Sequence, residues 1–189
     1  MLLLSNLGNN IKAQNATGQI GSWNIINAKM EINKQWSVFV EPQLRSLSFY
    51  NQFHYYELKG EITYNLRSNF SFTTGVGSYN TYSEGGNFKT PYQQKETRTW
   101  VQLLMKQQVA TLRFEHRYRA EQRFTNNGFR NRFRYRLNTV VPLDNKKMAP
   151  KTFYASVWNE LFFTDRVPYF ERNRFFAGGG YELSEAVAF

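Results

Sequence analysis

Polar and apolar residues alternate along almost the whole chain, and a period of two predicts extended strands whose side chains point to opposite faces. The first strand is expected over about 19–32, with Ile20, Ile26, Ala28, Met30 and Ile32 on one face. Asn33-Lys34 turns the chain into 35–47, where Trp36, Val38, Val40 and Leu44 alternate with Phe39, Glu41, Gln43 and Arg45. A third strand over 54–66 sets Tyr56, Leu58, Ile62 and Tyr64 against Glu57, Lys59, Glu61 and Thr63. A fourth over 70–80 sets Phe70, Phe72 and Val76 against Ser71, Thr73, Gly75 and Gly77. Residues 81–94 read as the longest polar loop, and a fifth strand over 95–106 sets Val101, Leu103 and Met105 against Arg98, Trp100 and Gln102. Strands eight and nine follow the same pattern at 152–163 (Phe153, Val157, Leu161, Phe163 against Ser156, Trp158, Glu160) and 172–183 (Phe175, Ala177, Tyr181, Leu183 against Arg172, Arg174, Gly178, Gly180). Ser184-Glu185 then turns toward a tenth strand.

Strands six and seven carry the strongest signal. Residues 113–136 hold eight of the fourteen arginines. Arg113, Glu115, Arg117, Arg119, Glu121 and Arg123 alternate with Leu112, Phe114, Tyr118, Ala120 and Phe124. After Thr125-Asn126-Asn127-Gly128, Arg130, Arg132, Arg134 and Arg136 alternate with Phe133, Tyr135 and Leu137. This is a hairpin with one charged and one apolar face. If the charged faces meet, odd residues of strand six share a side with even residues of strand seven. Directly opposed residues then sum to an odd number, and Glu121 is expected to bridge to Arg132 or Arg130.

Two environments fit such strands. A soluble lipocalin-like, ligand-binding barrel would keep its apolar faces inside and its arginines in water. A transmembrane barrel would reverse them. Three features favour the second. The strands run 11–13 residues, and at roughly 3.3 Å per residue and a tilt near 40° eleven residues rise about 27 Å, close to the ~25 Å apolar band of an outer-membrane barrel. Aromatics gather at strand ends (Trp36, Phe70, Phe124, Phe153, Phe163), as in interfacial girdles. Leu2-Leu3-Leu4 and Ile11-Lys12-Ala13-Gln14 read as the remnant of an export signal over 1–14, ahead of a barrel over 15–189.

In that setting the charged faces line the lumen, because one arginine facing mid-bilayer lipid costs about 2–4 kcal/mol. Arginines two apart lie about 7 Å from each other and repel by about 2 kcal/mol at an effective dielectric near 20. Carboxylates must therefore accompany them, and Glu41, Glu57, Glu61, Glu115, Glu121 and Glu160 fall on inward phases.

Composition narrows the chemistry. There is no cysteine, so no disulfide framework or thiolate site, and two histidines leave little for a metal centre. No cofactor is expected. A net charge of +10 with 17% aromatic residues superficially suits nucleic acid, but the arginines and aromatics lie on opposite faces, whereas stacking platforms need both on one surface. His116, on the outward phase, has no serine motif to serve, so no enzymatic activity is expected. Glu160, beside Trp158, reads as a partner for a lumen arginine. Gly75, Gly77, Gly178 and Gly180 point inward, making room for long arginines on neighbouring strands or marking a bulge.

A family resemblance adds to this. Phe114-Glu115-His116-Arg117-Tyr118-Arg119-Ala120-Glu121-Gln122-Arg123-Phe124 resembles the H-R-x-R-x-E-x-R-F strand of domain of unknown function 2490, a family of predicted outer-membrane proteins. Arg132-Phe133-Arg134-Tyr135-Arg136-Leu137 is similar to its R-x-R-Y-R-L strand, and Asn159-Glu160-Leu161-Phe162 to its N-E-L-F segment. Asn173-Arg174-Phe175-Phe176-Ala177-Gly178-Gly179-Gly180-Tyr181 is similar to its N-R-x-x-A-G-x-G-Y strand. The likeness runs from about Trp23 to the end. It implies an outer-membrane barrel of a Gram-negative bacterium with no assigned activity, and one or two strands beyond Phe189.

The expected fold is therefore all-β, an up-and-down antiparallel transmembrane barrel with nine strands plus the start of another, and ten or twelve in the intact protein. The expected function is non-enzymatic, structural or a small anion-preferring pore. Its partners are outer-membrane lipid and small anionic solutes, not nucleic acid. The lumen network is assigned to Arg113, Glu115, Arg117, Arg119, Glu121, Arg123, Arg130, Arg132, Arg134, Arg136, Glu41, Glu57, Glu61, Glu160 and Arg174. Short connections near 33, 68, 107 and 184, against longer ones near 50, 87, 127 and 167, give the two ends of a barrel; the 142–150 connection breaks the rule.

Overall fold

The computed structural model describes residues 20–145, 148–184 and 187–188, and the export segment read at 1–14 lies outside them. Among the described residues every regular element is a strand: β1 (Trp23–Ile25), β2 (Ala28–Glu31), β3 (Trp36–Ser48), β4 (Asn51–Arg67), β5 (Phe70–Ser83), β6 (Lys89–Val109), β7 (Leu112–Thr125), β8 (Gly128–Pro142), β9 (Thr152–Thr164), β10 (Phe170–Ser184) and β11 (Val187–Ala188). β1 and β2 pair with β3 in one register, Trp23 opposite Arg45 and Ala28 opposite Val40, so they are one strand interrupted at Ile26-Asn27. From β3 to β11 each strand lies antiparallel to its predecessor in a single up-and-down sheet. Nine long strands and the two-residue β11 reproduce the sequence pattern.

The sheet is strongly curled. Arg119 on β7 donates from Nη2 to Glu61 Oε1 on β4 at 3.2 Å, across β5 and β6. In a flat sheet, strands three apart lie about 14 Å from each other. The concave side takes the charged phase of every strand, and the convex side takes the apolar phase. Glu121, Arg132 and Glu160 are buried, while Tyr118, Phe133 and Leu58 are exposed.

The convex side is banded. Across the central strand segments (36–44, 56–64, 70–78, 97–105, 114–124, 129–141, 153–163 and 173–183) its outward phase carries no Asp, Glu, Lys or Arg. Cross-strand aromatic pairs edge the band at one end, Trp36 with Tyr64 and Phe153 with Tyr181. At the other end Phe124 pairs with Phe129 and Phe163 with Phe170. Phe153 and Phe163 sit at opposite ends of β9, which at a 40° tilt sets the two edges about 25 Å apart.

Three expectations about connections and glycines need correction. Residues 81–94 are mostly strand: β5 runs to Ser83, β6 begins at Lys89, and only 84–88 turn. Backbone pairing continues through this polar stretch, with Tyr82 packed on Tyr92 at 4.5 Å, because ladder bonds need no apolar side chains. The difference in loop length between the two ends is also weaker than expected. Residues 49–50 and 126–127 are two-residue turns, the turn expected near 107 lies at 110–111, and the longest connection, 143–151, sits at the end of the tight turns. Alternation carries no mark of where a strand stops. Finally, the inward glycines make room for rings as much as for cations. A Cβ on Gly75 would lie 2.4 Å from the Trp100 indole, and one on Gly178 would lie 2.8 Å from Phe176. Gly77 does adjoin a cation, the Lys59 stem, together with Tyr79.

Candidate functional site

The concave face is a lattice of charge built by register. β7 and β8 pair with an odd sum, Glu121 opposite Arg132 and Arg123 opposite Arg130, so both charged faces lie on one side. The turn between them closes at Gly128, whose φ of 110° suits a residue without Cβ. The same register sets arginine against arginine: Arg117 opposite Arg136, Arg119 opposite Arg134, and Arg123 opposite Arg130. Like charges directly opposed destabilise a sheet. The arrangement holds because carboxylates reach in from other strands.

Glu121 accepts from Arg132 Nε at 2.7 Å and from Arg134 Nη1 at 2.7 Å. This is the bridge expected from parity, with Arg132 rather than Arg130 as the partner. Glu160 on β9 accepts from Arg117 Nη2 at 2.5 Å and Arg134 Nη2 at 2.8 Å, so it neutralises cations from both hairpin strands. Glu61 accepts from Arg119 and, at 3.0 Å, from Trp100 Nε1. Glu115 lies 3.7 Å from Arg113 and accepts from Asn138 Nδ2. On the β3–β4 wall Lys59 bridges Glu41 and Glu57, and Tyr55 donates to Glu57. All the residues assigned to the network from sequence therefore lie on the concave side.

The structure adds members. Glu96, buried on β6, accepts from Arg98 and from Arg123. Phe162 is 1% exposed at the centre of the basic wall, with the guanidinium carbons of Arg132, Arg134, Arg172 and Arg174 at 4.7–5.6 Å from its ring centroid. Glu171 accepts from Arg132 and Arg172. The parity of β6 and β9 points Glu96 and Phe162 inward, so both are legible in the alternation of the sequence. Glu171 is different: a register shift between Phe170 and Arg172 turns it in against the parity of its neighbours.

Cations exceed carboxylates on this face. Among the described residues Arg130, Arg136 and Arg174 have no carboxylate within ion-pair distance. Arg136 lies 5.8 Å over Trp158 instead, and Arg45 lies between the rings of Trp23 and Tyr55 at 4.2 and 4.5 Å. Nε of Arg117, Nε of Arg136 and Nη1 of Arg123 are buried without a hydrogen-bond acceptor.

Other candidates do not converge on this face. His116 lies outward, its Nδ1 sharing a 3.0 Å hydrogen bond with the Tyr135 hydroxyl. No group of His, Asp or Glu among the described residues is arranged to hold a metal ion.

No curated protein and no solved structure matches the chain. A family model described as "Protein of unknown function (DUF2490)" matches residues 20–189, which takes in every strand described above. The chain belongs to that family.

Proposed function

We propose that this chain forms the wall of a β-barrel in the outer membrane of a Gram-negative bacterium, without enzymatic activity, its interior held by the arginine–glutamate network. The convex band carries this reading. Leu58, Val76 and Phe133 on it are each more than half exposed, and contiguous apolar surface on a soluble monomer rarely exceeds a few hundred Å². A lipid environment would cover that band, and the paired aromatics at its two edges suit the headgroup layers. A soluble barrel would instead present this face to water and bury arginines, the reverse of the transfer preference of both.

The full-length protein should partition with outer membranes, and its folded form should run faster than its heated form in SDS electrophoresis. Recovery only in a soluble extract would sink the membrane reading.

Two roles fit the interior. The bridge from Arg119 to Glu61 ties β7 to β4 across the concave side, which favours a structural filling. The unmatched arginines favour a small anion-preferring pore. Planar-bilayer recording separates them: anion-selective steps assign the pore, and silence assigns the filling.

A further inference from the structure

One lattice row crosses three strands as Arg136 on β8, Glu160 on β9 and Arg174 on β10. The two arginines flank Glu160, about two strand spacings, or 10 Å, apart at their backbones. Oε1 of Glu160 is already taken by other arginines, and neither Arg136 nor Arg174 has an ion-pair partner among the described residues. Each rests against a ring, Trp158 and Phe162 respectively, which orients a guanidinium without neutralising it. Arg174 is exposed on the concave side, whereas Arg136 keeps a buried Nε with no acceptor. One group is thus reachable and the other is waiting for a partner.

We propose that Arg136 and Arg174 together bind the phosphoryl group of a small soluble anion such as phosphate, pyrophosphate or a phosphate monoester. Each guanidinium presents a planar fork of N–H donors. A carboxylate can be shared by two forks, as Glu96 is between Arg98 and Arg123, but it brings only one charge to two guanidinium groups. A phosphoryl group offers three or more oxygens and up to two charges, enough for two forks approaching from either side. The inference deepens the barrel reading by naming what the lumen admits, and rests on that reading only for placing the site in a lumen.

Pyrophosphate binding to the full-length protein, refolded in phosphate-free detergent, tests it by titration calorimetry at constant ionic strength. Saturable binding is expected, with acetate producing none. The double substitution Arg136→Gln, Arg174→Gln should weaken binding by about tenfold or more, the loss of a hydrogen bond to a charged group at each position. Arg166→Gln, in the 165–169 turn, should leave it unchanged. Should the double variant fail to fold, Arg174→Lys keeps the charge but loses the fork, and weaker pyrophosphate binding is still expected. An equal response to acetate, or wild-type affinity in a folded double variant, overturns the site. So does binding of a short-chain phosphatidic acid without pyrophosphate, which would assign a lipid headgroup instead. Because the titration is done in detergent, its outcome is independent of fractionation. A soluble protein that binds pyrophosphate overturns only the membrane reading, and a membrane protein that does not bind it overturns only the site.

Discussion

Glu121→Ala is expected to destabilise the protein by about 3–5 kcal/mol, the cost of leaving buried cations without their counter-ion. Its carboxylate is 2% exposed and bridges Arg132 and Arg134, and Arg119 approaches it at 3.9 Å. Removing it leaves like charges facing one another across β7 and β8, with Glu171 and Glu160 as the remaining acceptors for Arg132 and Arg134. The buried network as a whole need not be strongly stabilising, since desolvating its charges costs much of what their attraction returns. The loss is large because it is one-sided. Equilibrium unfolding in urea measures it, and Glu31→Ala, which removes an exposed pair with Lys29, is the control expected to change little. A Glu121→Ala protein as stable as the parent would show that the network does not hold the wall.

Val157→Arg is expected to cost about 2–4 kcal/mol in a lipid bilayer if the convex band meets acyl chains. Val157 is 41% exposed and lies on the outward phase of β9 between the edge residues Phe153 and Phe163, opposite Thr139 and Ala177. In water the same change at an exposed position should fall within about 0.5 kcal/mol of zero. The sign and size of the effect therefore report which solvent covers the band. Folding into vesicles, followed by urea titration, gives the first value. An effect near zero there would count against lipid contact at this depth.

Much of this was legible in the chain, because period two fixes both the element and the face. Arg113 through Arg123 and Arg130 through Arg136 take the same side by parity alone, and the odd pairing sum follows. What parity cannot supply is the third dimension. Glu61 and Arg119 are 58 residues and three strands apart, and only the curl of the sheet brings them into contact. Nor can parity foresee a bulge, such as the one that turns Glu171 inward. The ends of β6 are hidden for a related reason, since polar residues beyond the apolar band alternate with nothing. Alternation likewise shows an inward gap at Gly75 without showing what fills it, which is the indole of its direct cross-strand neighbour Trp100.

The opposition of arginine to arginine in the β7–β8 register has a consequence for assembly. Sliding the hairpin by two residues would set Glu121 against Arg130 and Glu115 against Arg136, while Arg117 would face Arg134 and Arg119 would face Arg132, so opposed like-charge pairs would fall from three to two and opposite-charge pairs rise from one to two. Taken as an isolated pair, the two strands would gain by that error. Two things oppose it: the turn that closes Thr125 on Gly128, and the carboxylates of Glu96, Glu61 and Glu160 supplied from β6, β4 and β9. A slip of one residue is forbidden more simply, because it would send one strand's arginines into the apolar band. The register of the hairpin is thus favoured twice over, by its own turn and by carboxylates from strands that are not part of it.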